Sequence, residues 1–282
     1  MNQNSKGWFP RNWLRRYYSQ AINRPAEERG AAELHRPALI FSPHQDDETL
    51  GCGGTIIRKI GAGADITIVF MTDGRQSHGH LIPAGELVAL RRQEATDASH
   101  VLGIKEDKVI FLDFEDGRLA DFRAEAVNQV SAILAKNKPE EIYIPYAKEP
   151  PPDHYMTNKI VLDSLKDQRS RASIYEYPVW FWHHWPWVRV HQGGPRATRE
   201  VLKNTWRSQF GWRLLKDFNQ AIFVGDVLGR KRQALEQYRS QMTQLKADPR
   251  WLTLHDVSEG EFLACFFQDY ELFRQYRQDP SK

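Results

Sequence analysis

Residues 66–71 read Ile-Thr-Ile-Val-Phe-Met, a run without a single charged side chain. Six residues are too few for a typical helix, and a short apolar run bounded by polar turns suits a strand covered on both faces. Residues 38–42 form a second such run, residues 109–114 and 141–145 are similar with one acid each, and helical patterns separate the four. One helix is expected over about 48–60, closed by Gly61 and Gly63. A second covers 83–101, with Leu87, Leu90, Glu94, Ala95, Ala98 and Leu102 at helical spacing and Gly103 as its stop. A third covers 123–136. Strands alternating with helices predict an α/β protein whose mostly parallel sheet carries helices on both faces. Another helical stretch follows to about residue 166, then strands at 174–179 and 219–227 and helices at 231–245 and 262–276.

Charge is unevenly placed along the 282 residues. The net formal charge is +3, yet residues 1–36 hold seven Lys and Arg against three Glu, which leaves the remainder slightly acidic. The basic balance therefore describes an N-terminal extension and gives no reason to expect nucleic acid as a partner. That extension, residues 1–36, interleaves Trp8, Phe9, Trp13, Tyr17 and Tyr18 with arginines, as segments in peripheral contact with a membrane do. Residues 37–282 are expected to form one domain with a C-terminal elaboration. Two cysteines, Cys52 and Cys265, exclude both a disulfide framework and a cysteine-based zinc site. No stretch has the length of a membrane span and no apolar leader core is evident, so the expected location is cytoplasmic.

The first strand runs into Ser42-Pro43-His44-Gln45-Asp46-Asp47-Glu48. One imidazole and three carboxylates then lie at the C-terminal end of a strand, where open α/β sheets bind their ligands. Crowding three acids there is costly without a cation. Zinc accepts imidazole nitrogen and carboxylate oxygen, and His44 and Asp47, three apart on a turn, can address one ion. Asp46 is then free to take a proton from a bound water. The third ligand has to come from another strand end, and His154, after Pro150-Pro151-Pro152-Asp153, is best placed, with Asp153 as an orienting neighbour. A dinucleotide fingerprint is absent, since Gly51-Cys52-Gly53-Gly54 has no Gly-x-Gly-x-x-Gly spacing.

The segment from Pro43 to Gly54 resembles the hallmark of the PIG-L (LmbE-like) zinc-dependent deacetylases, usually His-Pro-Asp-Asp-Glu, with Gln45 in place of the proline. Arg91-Arg92-Gln93-Glu94 before Leu102-Gly103, Thr72-Asp73-Gly74, Pro152-Asp153-His154 and Lys231…Ala234…Tyr238…Ser240-Gln241 follow in the family's order. The resemblance implies a Rossmann-like fold and Zn2+, or another divalent metal, on His44, Asp47 and His154. It implies Asp46 as general base and an N-acetylated amino-sugar conjugate as substrate, losing its acetyl group. Arg91, Asp73 and Asp153 become candidates for substrate contact. Trp182 joins them from the aromatic run 180–187, since indole faces suit sugar C–H groups.

The chain departs from its family at Pro151, where the family's first histidine of His-x-Asp-His is associated with the acid or oxyanion role. Proline exchanges no proton. Asp46 then does both jobs, or Glu149, Lys148, His78, His80, His183 or His184 enters. The alternatives are a catalytically silent glycan- or metal-binding member of the fold and a hydrolase of another amide conjugate.

Overall fold

The computed structural model describes residues 13–14, 16–18, 20, 29–166, 170–189 and 194–276. Most of the aromatic and basic N-terminal extension therefore lies outside the described residues. Among the described residues seven strands form one mixed sheet: β1 (Ala38–Ser42), β2 (Ile66–Thr72), β3 (Val109–Phe114), β4 (Glu141–Pro145), β5 (Ser173–Tyr177), β6 (Gln220–Phe223) and β7 (Tyr270–Tyr276). Their order across the sheet is β3-β2-β1-β4-β5-β7-β6. The first five are parallel, and β7 runs antiparallel to both β5 and β6.

The main helices are α1 (Asp47–Gly61), α2 (Ala84–Leu102), α3 (Arg123–Asn137), α4 (Pro152–Leu165), α5 (Pro195–Arg207) and α6 (Leu228–Leu235). All five residues of β1 and all seven of β2 are buried, as expected of strands covered on both faces. The two faces have separate cores. Ala38, Ile40, Ile66, Ile68 and Phe70 pack with Cys52 and Ile56 of α1 and with Ala95 and Ala98 of α2. Leu39, Phe41, Val69 and Met71 pack on the other side with Val130 and Leu134 of α3 and Ile160 and Val161 of α4. Strand alternation alone divides these residues between the layers.

From β1 the chain crosses one way to β2 and β3, and later the other way to β4 and β5. The sheet order thus reverses between β1 and β4, and a crevice opens outside their C-terminal ends. The turn after β1 and the start of α1 carry His44 and Asp47, and the first turn of α4, reached from the end of β4, carries His154.

The last expected helix, 262–276, is not formed. A single turn, Glu261–Ala264, is followed by strand β7. Phe262 and Phe266 do share a helical face, but β5 and β6 both need a partner strand, and β7 supplies it to both. Glu271 reinforces the strand by accepting the amides of Gly54 and Thr55, each at 2.8 Å, and an ion pair from Lys231 at 2.7 Å. The expected helix 231–245 is also interrupted. It stops at Leu235 and resumes as Arg239–Met242, because Tyr238 leaves helical geometry to reach Glu48 and because Glu94 takes the Ser240 amide. The strand expected over 219–227 is shorter, with a 3-10 turn at Gly225–Val227.

At the N-terminal end of β4, Glu141 is fully buried between two cations. Arg29 donates to both its oxygens and Lys59 Nζ lies at 2.8 Å, with the Tyr143 hydroxyl at 2.9 Å. Removing one member of such a set strands charge in a low dielectric at a cost of about 3–5 kcal/mol. Glu141→Gln is expected to lower the unfolding free energy by that amount in urea titrations. A change near zero would mean that water reaches the two cations.

Candidate active site

The site starts from the turn between β1 and α1. Glu48 is fully buried and accepts the Asp46 amide at 3.1 Å, the Tyr238 hydroxyl at 2.6 Å and the Thr49 hydroxyl. Its own amide donates to Ser42 Oγ at 3.1 Å. Glu48 thereby ties the strand end, the helix start and the distant Tyr238 together. Burial pushes its carboxyl above the usual range, opposed by these donors. The clamp holds Asp46 at φ +133°, a strained conformation for a side chain other than glycine, worth about 1–3 kcal/mol. Gln45, where the family has proline, donates through Nε2 to Thr72 O at 2.6 Å and so locks the turn to the end of β2.

His44, Asp47 and His154 converge. Asp47 Oδ2 lies 3.2 Å from His44 Nδ1 and 3.1 Å from His154 Nε2, and the three donor atoms fall within 4.8 Å of one another. Asp47 and His154 are 2% and 0% exposed. Neither ring nitrogen of His154 has a hydrogen bond of acceptable geometry, an unusual state for a buried imidazole and one that a metal would relieve. Burial would raise the Asp47 carboxyl, but His154 and His44 hold it well below its ordinary range. Two imidazoles and one carboxylate are the donor set of an open, catalytic-type divalent site.

A further carboxylate, not found by sequence reasoning, completes this arrangement. His44 Nε2 sits 3.1 Å from Asp116 Oδ1 and 3.5 Å from Asp153 Oδ2. Burial disfavours an imidazolium here, yet Asp116, Asp153 and Asp47 together hold the His44 pKa well up. With Nε2 occupied, Nδ1 is the nitrogen left to face Asp47 and His154, the carboxylate–histidine orientation common in metal sites. Asp116 comes from the loop after β3, which no motif marks. Asp153 also accepts the Gly117 amide at 2.6 Å, so it holds that loop in place as well as orienting His44.

Four charged groups near the site, Asp46, Arg91, Glu94 and Asp73, differ in what they are committed to. Asp46 is 8% exposed, and burial pushes its carboxyl up to about 7 against the opposing charge of Arg91. Arg91 is buried, not on the surface. One Nη2 donates to Gln45 O and lies 3.5 Å from Asp46 Oδ2, while Nε and Nη1 have no partner. Glu94, one turn on, is taken up by the Ser240 amide and hydroxyl, each at 2.7 Å. Asp73 bonds Arg75 and receives the Asp116 amide at 3.3 Å, a turn role away from the cleft wall.

A cleft of about 390 Å³ opens on this cluster, its lining including Asp46, Arg91 and Asp116 together with Trp180, Leu254 and Phe262. Pro151 forms part of its wall. Of the six groups considered in place of the family's histidine, His78 alone lines the cleft. It stacks on Trp251 at 4.4 Å, its Nε2 is 3.0 Å from Leu252 O, and burial lowers its pKa. Glu149 receives the amides of Val179, Trp180 and Phe181, and Lys148 pairs with Asp217 at 3.1 Å. His184 is buried edge-on to Phe181, which pushes its pKa down to about 3, while His183 packs on Trp180 and Phe262 and His80 is exposed. Trp182 belongs to the core, edge-on to Trp187 at 4.9 Å; Trp180 is the indole on the cleft.

The chain is similar to several known proteins. Residues 39–165 match the family profile described as PIG-L, GlcNAc-PI de-N-acetylase. The chain is 31% identical over 125 residues to the diacetylchitobiose deacetylase of Thermococcus kodakarensis, covering 42% of this chain and 45% of that protein. It is 30% identical over 175 residues to a 1D-myo-inositol 2-acetamido-2-deoxy-alpha-D-glucopyranoside deacetylase of Mycobacterium sp. strain KMS, covering 52% and 54%. The chain thus spans about half the length of these two relatives. The solved N,N'-diacetylchitobiose deacetylase of Pyrococcus horikoshii shares the fold, with a TM-score of 0.62 at 20% identity, over 97% of this chain and 95% of that one.

Glu48→Ala removes the acceptor of three buried donors at once. Leaving such groups unsatisfied costs about 1–3 kcal/mol each, and relaxation recovers part of it. The variant is expected to lose about 3 kcal/mol of unfolding free energy by denaturant titration, and Glu48→Gln less, since an amide oxygen still accepts.

Proposed function

We propose that this chain, whose residues 39–165 match the PIG-L family profile, is a metal-dependent hydrolase that removes the N-acetyl group from an N-acetylglucosamine-type sugar in a larger conjugate. The observation that carries this reading is the convergence of His44 and His154 on one oxygen of Asp47, beside the Asp46 carboxylate, whose Oδ2 lies 3.5 Å from Arg91 Nη2. The reading makes the enzyme cytoplasmic, in peripheral membrane contact through its N-terminal extension.

In this reading His44, Asp47 and His154 hold a divalent ion, zinc for preference. Such an ion, when bound, polarises an amide carbonyl and lowers the pKa of a water toward ~7. The protein's own groups do the rest. Asp46 accepts the proton of the attacking water as the new C–O bond forms at the acetyl carbon. Arg91 lines the cleft and has two guanidinium nitrogens, Nε and Nη1, without a partner among the described residues, a donor reserve suited to developing negative charge on the carbonyl oxygen. Asp46 then returns its proton to the nitrogen as the C–N bond breaks, which leaves acetate and a free amine. No second donor is needed, and none of the six candidates offers one. His78 has its Nε2 against a carbonyl, and the others are engaged, buried away from the cleft or outside its wall. Asp116 and Asp153 keep His44 turned so that Nδ1 faces the other two ligands.

Protein loaded with zinc is expected to release acetate from a panel of N-acetylglucosamine conjugates. No release from any of them, with metal bound, would favour the catalytically silent reading. Asp46→Asn should lower kcat by about 10²–10⁴, the usual worth of a positioned base. His154→Ala should lose most bound zinc by elemental analysis. Undiminished metal would remove His154 from the ligand set. Asp116→Asn should weaken zinc affinity by about 10–100-fold, as loss of an orienting carboxylate does.

A further inference from the structure

The aromatic content of this chain is not spent wholly on its core. Among the described residues, Trp13, Tyr17, Trp206, Phe210 and Trp212 are 67%, 44%, 75%, 49% and 54% exposed. They come from two distant parts of the sequence and meet on one face. Trp13 stacks on Tyr17 at 6.1 Å, and Tyr17 contacts Tyr18. Tyr18 packs on Trp187 and donates its hydroxyl to Phe210 O at 3.0 Å. Phe210 in turn meets Trp185 and Trp206, at 6.1 and 6.0 Å. Gln209 and Phe210, at φ +53° and +56°, adopt left-handed backbone that side chains other than glycine rarely take, and the Phe210 ring is displayed from this strained turn.

Helix α5 extends the same face. Val201, Asn204, Thr205 and Ser208 are buried, at spacings of three and four residues. The opposite side carries Arg199, Leu202, Lys203 and Trp206, all exposed. Between residues 194 and 216 there are six cations, Arg196, Arg199, Lys203, Arg207, Arg213 and Lys216, against the single acid Glu200. None of the six makes an ion pair among the described residues. The nearby Asp217 is already taken by Tyr146 and Lys148. Arg16, exposed, adds to the same surface from the N-terminal side.

We propose that this face, built from residues 13–14, 16–18 and 195–216, is a docking surface for the anionic lipid headgroups of a membrane. Exposed indole and phenol rings prefer the headgroup level of a bilayer, and unpaired cations around them complement its negative potential. A second copy of the chain is the poorer fit, because a two-fold contact would set six unpaired cations against six more. Trp180 lies at the edge of this surface, facing Arg207 and Arg213 on one side and the cleft on the other. Docking therefore brings the cleft close to the lipid surface.

The test is co-sedimentation of the full chain with vesicles of phosphatidylcholine alone and of phosphatidylcholine with phosphatidylglycerol. The chain pellets with the anionic vesicles, much less with the neutral ones, and less again in high salt. Trp206→Ala with Trp212→Ala, and separately Arg199→Glu with Lys203→Glu, each lower the partition coefficient on anionic vesicles at least tenfold. Both pairs keep the wild-type melting temperature and acetate release from a water-soluble conjugate. Wild-type protein that ignores anionic vesicles, or variants that partition like wild type, overturn the proposal. So does a dimer in sedimentation velocity that the tryptophan pair dissolves while vesicles bind neither form; the face then belongs to a second copy. Vesicle binding is read without turnover, so it stands or falls separately from the deacetylase reading.

Discussion

A single buried carboxylate, Glu48, holds the site in shape. It cannot reach water, so its charge has to be met by the donors around it: the Asp46 amide, the Thr49 hydroxyl and the Tyr238 hydroxyl. Those donors come from the turn, the helix start and a segment nearly two hundred residues away. Satisfying one charge therefore fixes the strained backbone of Asp46, the register of α1 against β1 and the break in the helix near Tyr238. The strain at Asp46 is small beside the cost of leaving that charge without partners.

Around this clamp the protein concentrates negative charge. Asp46, Asp47, Asp116 and Asp153 all approach His44, His154 or Arg91 within hydrogen-bonding or ion-pair range. Only Arg91 is a permanent cation among them. Such a set is self-consistent when positive charge sits between the imidazoles and Asp47, which is what a divalent ion would supply. The same crowding separates the two neighbouring aspartates. Asp47, against two imidazoles, is held well below the usual carboxylate range, while burial pushes the Asp46 carboxyl up to about 7. Environment alone separates the two carboxylates of one dipeptide.

Local chemistry made much of this legible. Short, mainly apolar runs marked β1, β2 and β4, and helical periodicity closed by glycine marked α1 and α2. Cys52 reads as a small packing residue and is fully buried in the core. The strand ends carried His44, Asp46, Asp47 and His154, and the sheet's reversal between β1 and β4 explains why they meet. Asp116 was invisible because it stands on a loop after a half-buried strand, and nothing in Glu115-Asp116-Gly117 differs from an ordinary turn. Arg91 and Glu94 sit one turn apart, a spacing that suggests a surface pair, yet each is drawn inward by a different partner.

The sequence by itself determined what depends on neighbours along the chain: the strands and helices of the first half, the turn chemistry at Pro43 to Glu48, and the pairing of a histidine with acids where a strand ends. Tertiary structure decided whatever depends on satisfying groups brought from afar. It turned residues 270–276 into a strand because β5 and β6 lacked a partner between them. It sent Trp182 into the core and Trp180 to the cleft, because packing against Trp187 and Phe262 distinguishes two indoles that the sequence sets two apart. It also gathered the aromatic rings of residues 13–18 and 206–212 on one exposed face, a juxtaposition set by the Tyr18 contacts with Trp187 and Phe210 rather than by any periodicity.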